Sequence, residues 1–214
     1  LKVVIVATAL VVVVIFAANS WDSWARLQST GRIVKVTETS AALFKAMANL
    51  RTDRANTPRA INSDQPMEAA TEKYVRGLRD SEMTALARAL ELLPTMEFAQ
   101  KQTLVPELER LNKTLTAQQA EFWTEITKPK DSRRLALAKE YIDSSNAALT
   151  TLETLSTVLV TSVNHQDATI DQFLTIKQMA WLMRNTAGEA SVIIGNILTT
   201  VSYTHLRAHE TKAN

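Results

Sequence analysis

The strongest constraint on this chain is an uncharged, apolar run near its start, residues 3–18, which reads VVIVATALVVVVIFAA. A helix needs roughly 20 mainly apolar residues to cross a bilayer core, with about 17 as the lower limit. The chain begins with Leu1 rather than Met, so we expect the run to continue upstream. Trp21 and Trp24 follow at once, as aromatic residues do at the headgroup level. We therefore predict a transmembrane helix over residues 1–20.

Two other interpretations of this run are weaker. A cleaved signal peptide needs small residues at positions −3 and −1 before the cut. A cut after Ala18 would place Phe16 at −3, and a cut after Ala17 would place Ile15 there. A buried soluble helix would rarely carry so long an uncharged apolar run. The membrane anchor is the favoured interpretation.

Composition excludes several classes of protein. The chain has no Cys, which removes disulfides, thiolate metal sites and thiol nucleophiles. A net charge of +2 without a polybasic block gives no electrostatic reason to expect nucleic acid. Only 4 Gly and 5 Pro occur in 214 residues, too few breakers for a turn-rich β protein. The sequence therefore predicts an all-α protein with long helices.

The breakers divide the chain into four helical segments. We expect the first helix to end at about Thr57, because Pro58 disfavours helical backbone in the residue before it. The second helix is expected over residues 65–93, and the third to begin near Pro106. On each of these three helices, residues recur in steps of three and four on the face expected to be buried. On the first helix they are Ile33, Val36, Ser40, Leu43, Met47 and Leu50, with Leu27, Val34, Ala41, Phe44 and Ala48 beside them. On the second helix they are Tyr74, Leu78, Ala85, Ala89 and Leu93, and on the third Leu104, Leu108, Leu111, Leu115, Phe122 and Ile126.

The fourth helix has the most regular pattern. From Asp131 a seven-residue repeat predicts the inward positions, and the same register extends to Ala187, which would give a helix of about 85 Å. Whether the helix breaks near residues 164–167 is left open. The inward positions of the repeat are Leu135, Ala138, Ile142, Ser145, Leu149, Leu152, Ser156, Leu159 and Val163.

Short turns between these segments predict an elongated antiparallel four-helix bundle. We assign residues 21–165 to this bundle, as an extracytoplasmic sensor domain that continues from the transmembrane helix. Residues 166–200 either prolong the long fourth helix or begin a second helical module. No second apolar span follows, so we expect the chain to stop before a partner span.

The last residues, 201–214, do not match the composition before them. Two of the three His residues, His205 and His209, are spaced i, i+4 here, a spacing that metal sites use. The string YTHLRAHET is similar to translated sequencing-adapter read-through, so we expect a non-native tail and no metal site.

No catalytic motif is present, and we expect no enzyme activity and no cofactor. The carboxylates Glu107, Glu109, Glu121 and Glu125 are expected on solvated faces. The unusual feature is arginine on the apolar register, at Arg51, Arg54 and Arg184. A guanidinium turned toward a bundle interior must be paired, and its fork of donors fits a carboxylate or a nitrate-like anion. We predict that these three residues bind a small anionic ligand. The alternatives are internal salt bridges, for instance between Arg54 and Asp53 or a carboxylate of the second helix, and snorkelling of the side chain at a helix end.

A family resemblance supports this hypothesis. The anchor, the bundle and the string NLRTDRANTPRA at residues 49–60 resemble the sensory region of bacterial methyl-accepting chemotaxis receptors. More narrowly, LRTDR at residues 50–54 is similar to the Leu-x-x-Glu-Arg-Gly signature of nitrate- and nitrite-sensing bundles, with Asp53 for Glu and Ala55 for Gly. WLMRNTAGE at residues 181–189 resembles a second such helix end.

The resemblance implies a homodimer in the inner membrane, with its bundle in the periplasm, that senses a ligand and transmits a helix displacement in signal transduction. The alternatives are a sensor histidine kinase ectodomain and a membrane-anchored coiled-coil stalk without a small ligand. Arginines that converge on a pocket would favour a sensor, and arginines that pair off as salt bridges would favour a stalk.

Overall fold

The fold was described from a computed structural model, which describes residues 2–163, 172–173, 175–188 and 190, without the side chains of residues 2–9, 22, 25–26 and 28–29. The described residues form helices and the turns between them, so the all-α prediction is confirmed. The chain divides into two compact units, residues 1–163 and 164–214. The first unit contains α1 (Lys2–Asn62), α2 (Ala69–Leu92), α3 (Lys101–Glu125) and α4 (Ala136–Val163), with short 3-10 turns at Leu93–Thr95 and Lys130–Ser132.

Contacts between α1 and its neighbours show that the bundle is antiparallel. Glu38 on α1 pairs with Arg88 on α2, whereas Asn49, further along α1, bonds to the earlier residue Ser81 at 3.0 Å. The same reversal holds against α4, because Arg51 faces Glu153 and the later residue Arg54 bonds to Asn146. Helix α3 closes the bundle against α4 and α2.

Buried apolar side chains at helical spacing form the core. On α1 these residues include Leu43, Met47 and Leu50, all 0 % exposed. At the far end of the bundle, Ile61 packs with Phe122 and Leu137 in a cluster that joins α1, α3 and α4. Burial of each such side chain contributes roughly 1.5–3 kcal/mol. The four helices are therefore held together along most of their shared length.

The first part of α1 differs from the rest. Every described side chain from Leu10 to Arg32 is exposed, and the first buried residue on the helix is Val36. Within the part of the chain that the structure describes, no helix is both long enough and apolar enough to cross a membrane. The side chains of residues 3–9, in the first half of the apolar run, lie outside the described residues. The transmembrane helix over residues 1–20 therefore stays a prediction.

Several predicted helix boundaries were wrong. Helix α1 does not end at Thr57 but continues through Pro58 to Asn62. Proline removes one backbone hydrogen bond, but Thr57 and Ile61 on either side of it are fully buried, and their packing keeps this turn helical. Helix α3 begins at Lys101, so Pro106 lies in its second turn. Helix α4 begins at Ala136 rather than at Asp131.

Some inward positions were also wrong. Tyr74 and Leu135 are 55 % and 49 % exposed, and Leu27 and Val34 are 67 % and 58 % exposed. Ala41 is exposed as well. The first buried position on α2 is Val75, one residue after the predicted Tyr74, and the first on α4 is Leu137, two residues after the predicted Leu135.

One predicted solvated carboxylate is buried. Glu125 has a side chain that is only 7 % exposed. It accepts hydrogen bonds from Lys128 Nζ at 2.6 Å and from the backbone N–H of Arg134 at 2.8 Å. The hydrogen bond from Lys128 is the main cause that lowers the pKa of Glu125. This carboxylate therefore holds the turn between α3 and α4.

Two predictions fall on other parts of the chain. The possible break at residues 164–167 and the non-native tail at residues 201–214 lie outside the described residues. In the second unit, the described residues 172–173, 175–188 and 190 are helical.

Candidate functional site

A layer of polar side chains crosses the apolar core of the first unit. Five residues form this layer, with at least one from each of the four helices, and we call them the polar layer. All are buried, with exposed fractions between 0 and 6 %. Buried polar groups are costly unless they are paired, so their arrangement decides what this layer does. The residues are Asp53 on α1, Arg79 and Glu82 on α2, Gln119 on α3 and Tyr141 on α4.

Asp53 is the centre of the polar layer. Arg79 Nε donates to Asp53 Oδ2 at 2.9 Å, and Arg79 Nη2 donates to Thr57 Oγ1 at 2.7 Å. The Tyr141 hydroxyl donates to the same Asp53 oxygen. Because these donors come from α2 and α4, one carboxylate on α1 joins three helices.

Gln119 brings α3 into the same network. Its Nε2 donates to Glu82 Oε1 at 3.1 Å and to Tyr141 Oη at 3.0 Å. A continuous chain of hydrogen bonds therefore runs from Glu82 through Gln119 and Tyr141 to Asp53. Linked hydrogen bonds in a low-dielectric interior strengthen one another, and a change at one end is felt at the other.

Aromatic rings enclose the Arg79 guanidinium. Its Cζ lies 4.1 Å from the ring centroid of Phe122, 5.1 Å from that of Trp123 and 5.6 Å from that of Tyr141. Cation–π attraction is strongest where water is excluded. Trp123 is half-buried and also contacts Arg76, whose Cζ is 3.8 Å from its ring. The cation in the polar layer is thus held in position by rings as well as by Asp53.

The electrostatics of the layer are unusual at Glu82. The pKa of this carboxyl is raised to about 8, mainly by burial and next by the nearby Asp53 carboxylate, against smaller opposing effects of Gln119 and Arg79. Burial is also the main cause that raises the pKa of Tyr141. Within the described part of the chain, Asp53 Oδ1, Arg79 Nη1 and Glu82 Oε2 are buried without a hydrogen-bond partner. The layer thus retains unused donor and acceptor capacity, which suits it to take up or release a proton.

The predicted ligand-binding arginines lie outside this layer. Arg51 Nη2 is 3.9 Å from Glu153 Oε1, and its side chain is 15 % exposed. Arg54 Nη1 donates to Asn146 Oδ1. Both residues therefore meet α4 on the same side of α1. Arg184 belongs to the other unit, where its side chain is exposed. Anion binding at these three positions stays a prediction.

A cavity of about 230 Å³ lies at the end of the bundle where α1 meets α2. Arg133 braces it, since its Nη1 donates to the carbonyls of Ala60, Ile61 and Ser63 at 2.8–3.2 Å. Ala60 and Ile61 belong to the last turn of α1, whose carbonyl groups lack partners within the helix, and Ser63 follows the helix. The cavity is lined by Asn56, Arg59, Ala60, Ser63, Gln65, Pro66, Met67, Glu68, Thr71, Ile126 and Arg133.

Sequence reasoning missed four of the five residues in the polar layer and considered Asp53 as a salt-bridge partner of Arg54 and as part of the LRTDR string, but not as a site residue. The signal was present on α2, where Val75, Arg79, Glu82, Leu86 and Ala89 follow steps of three and four. The predicted register for α2, through Tyr74 and Leu78, was displaced by one residue at its start. Charged residues on an apolar register point to a buried network once the register is right.

No protein-family model matches the chain, and neither a search of curated proteins nor one of solved structures finds a match. The resemblance to chemotaxis receptors therefore stays a hypothesis that rests on the residues and the fold.

Proposed function

We propose that this chain is the ligand-sensing portion of a transmembrane receptor of the chemotaxis type, which transmits a displacement of α1 in signal transduction. The observation that carries the proposal is the continuity of α1. This helix runs for 61 residues from Lys2 to Asn62. Its first part carries the apolar run, and Asp53 near its other end is bonded to α2 and α4.

The apolar run is the membrane-anchoring part of this proposal. Side chains at positions 10–18 are uncharged and exposed on every side of the helix. A helix that is apolar all round requires an apolar environment, and a bilayer supplies one. The inner membrane, with the bundle in the periplasm, is the location that the receptor resemblance implies.

The polar layer supplies the element that a signal would move. Hydrogen bonds among Asp53, Gln119 and Tyr141 are directional, so they hold one packing of the helices and exchange partners if α1 slides. Interface helices in switching proteins shift by about 1–2 Å. A ligand acts by binding one of two such packings more tightly than the other. A buried polar layer between helices is suited to define those two packings.

A second copy of the chain is the proposed protein partner. Leu27, Val34, Ala41, Ala48 and Ala55 recur every seven residues along α1; we name this set the outer seam. Leu27, Val34, Ala41 and Ala55 are exposed, and Ala48 is half-buried. A seven-residue repeat of apolar positions is the pattern by which helices pair in a left-handed coiled coil. We place a homodimer contact at the outer seam.

The proposed ligand is a small anion at Arg51 and Arg54. Both guanidinium groups lie at the contact between α1 and α4. An anion bound between them would contact both helices. Nitrate is the probe, because its planar oxygens fit a guanidinium fork. If bound, nitrate at a hundred times its Kd would stabilise the fold by about 2.7 kcal/mol, which raises Tm by roughly 5–10 °C for a domain of this size.

The test compares thermal unfolding of the full chain in lipid nanodiscs with sodium nitrate and with sodium chloride at equal ionic strength. We expect nitrate to raise Tm in the unmodified chain, and Arg51→Ala and Arg54→Ala to lose that rise. Arg110→Ala, on the exposed side of α3, is the matched control and should keep it. A rise that persists in both variants would refute the site.

A membrane-anchored stalk is the second candidate, and one observation favours it. Arg51 faces Glu153 and Arg54 bonds to Asn146, so both arginines have partners within the chain. A stalk predicts that nitrate leaves Tm at its chloride value. A sensor histidine kinase ectodomain would share the sensing role, with a different output domain.

A further inference from the structure

We propose that the polar layer is a proton-binding site, at which Glu82 takes up a proton from solution and thereby sets the position of α1 against the other helices. The uptake of the proton stands on the structure of the layer alone. Its use as a signal rests on the function proposed above.

The charges of the layer require a proton. Two carboxylates, Asp53 and Glu82, share one guanidinium, that of Arg79. Arg79 commits its Nε to Asp53 and its Nη2 to Thr57. With both carboxylates ionised, the layer would therefore hold one uncompensated negative charge in a site at most 6 % exposed. A buried charge without a partner is neutralised by a bound proton rather than tolerated.

The groups that face Glu82 from each helix identify it as the proton carrier. Helix α1 presents the Asp53 carboxylate, and α2 itself presents Arg79, one turn earlier. Helix α3 presents the neutral amide of Gln119, and α4 presents the phenol of Tyr141. An amide hydrogen bond at 3.1 Å does not balance a full charge. The unpartnered Oε2 of Glu82 is the oxygen that we assign to the proton.

The layer also explains how this proton would move α1. Release of the proton places a second negative charge near Asp53, which belongs to α1. It also changes the acceptor strength of Glu82 Oε1, and Gln119 passes that change to Tyr141 and so to Asp53. The two effects reach α1 from α2 and from α4. Like charges brought together in a low-dielectric site repel strongly, so α1 and α2 are driven apart as Glu82 ionises.

The direct test is an infrared titration of the full chain in nanodiscs. A protonated carboxyl gives a C=O band that disappears when the group ionises. We expect a band that persists at about pH 6, where an ordinary Glu is ionised, and that fades with a midpoint near 8. Glu82→Gln should lose the band, and Glu109→Gln, an exposed carboxylate on α3, should keep it. A chain without a band at about pH 6, or a band that survives in Glu82→Gln, would overturn the proposal.

The pH dependence of stability is the second measurement. The folded pKa of Glu82 lies above its unfolded value of about 4.5, so its neutral form favours folding at low pH, and that contribution is lost as pH rises from about 4.5 to 8. We expect Tm to fall across this range in the unmodified chain and in Glu109→Gln, and to change less in Glu82→Gln. Equal pH profiles in all three chains would contradict the assignment. If Glu82→Gln does not fold, the infrared midpoint of the unmodified chain decides, and a midpoint below about pH 6 refutes the site.

Failure of the proton site and failure of the proposed signalling role give different experimental outcomes. A chain that titrates as described but whose helices keep their positions would retain the proton site and lose the signalling role.

Discussion

Arg79 Nε lies 2.9 Å from Asp53 Oδ2, and the two side chains are 5 % and 0 % exposed. This ion pair joins α2 to α1 inside the core. Removing two charges from water costs several kcal/mol per ion, which their attraction only partly offsets. The pair is therefore weak as a source of net stability. Its value lies in fixing which turn of α1 faces which turn of α2, because any other register leaves a charge unpaired.

Loss of one partner of this pair should be severe. We predict that Arg79→Met lowers the free energy of unfolding by about 3–5 kcal/mol, because Asp53 stays buried without its cation. Arg110→Met on the exposed side of α3 should change it by less than about 0.5 kcal/mol. Denaturant unfolding of the full chain in detergent measures both.

The double variant separates pairing from packing. Asp53→Asn combined with Arg79→Met removes both charges, so the loss should be smaller than the sum of the two single losses. Strictly additive losses would show that the two side chains do not interact.

The Tyr141 hydroxyl should contribute through its hydrogen bonds alone. Tyr141→Phe keeps the ring but removes the donor to Asp53 and the acceptor of Gln119. We predict a loss of about 1–3 kcal/mol from the polar groups left without partners. Tyr74→Phe, on a residue that is 55 % exposed, is the control and should be nearly neutral. Equal effects of the two variants would argue against the network.

The outer seam makes a prediction about assembly. Because the chain has no Cys, one introduced Cys reports one position. We predict that Val34→Cys forms a disulfide-linked dimer rapidly under mild oxidation in membranes. Lys113→Cys, on an exposed face of α3, should cross-link slowly. Equal rates at the two positions would place the dimer contact elsewhere or remove it.

Arg133 should hold the far end of α1. Arg133→Ala removes hydrogen bonds to the carbonyls of Ala60, Ile61 and Ser63, and we expect a loss of about 1–3 kcal/mol. Amide hydrogen exchange over residues 58–63 should accelerate. Arg59→Ala, an exposed residue that lines the same cavity, should leave both quantities nearly unchanged. Protection that survives Arg133→Ala would show that the turn holds itself.

The sequence predicted the helices well because their signals are local. Steps of three and four on α1 led correctly from Val36 to Leu50. Continued alternation of steps of three and four predicts residue 54 as the next inward position after Leu50. The helix instead buries Asp53, Thr57 and Ile61, which follow Leu50 in steps of three, four and four. A helix with 3.6 residues per turn drifts against a seven-residue repeat, and this drift separates Asp53 from Arg54.

The polar layer was not predictable in the same way. Gln119 and Tyr141 meet because of the axial alignment of α3 against α4, and their hydrogen bond joins residues that are not neighbours in the sequence. Pro58 shows the same limit, since its local preference to end α1 yields to the burial of Ile61. Where contacts between helices determine which residues meet and where a helix ends, the residue pattern of a single helix does not predict them.

The most direct test of the account measures the position of α1 as the polar layer ionises. Lys45 on α1 and Ala147 on α4 are exposed, and Cys at both positions would carry nitroxide labels in a chain without native Cys, diluted with unlabelled chain in nanodiscs. We predict that the distance between the labels changes by about 1–2 Å between about pH 6 and 9, and that Glu82→Gln removes the change. A distance that is the same at both pH values, or a change that persists in Glu82→Gln, would contradict the account.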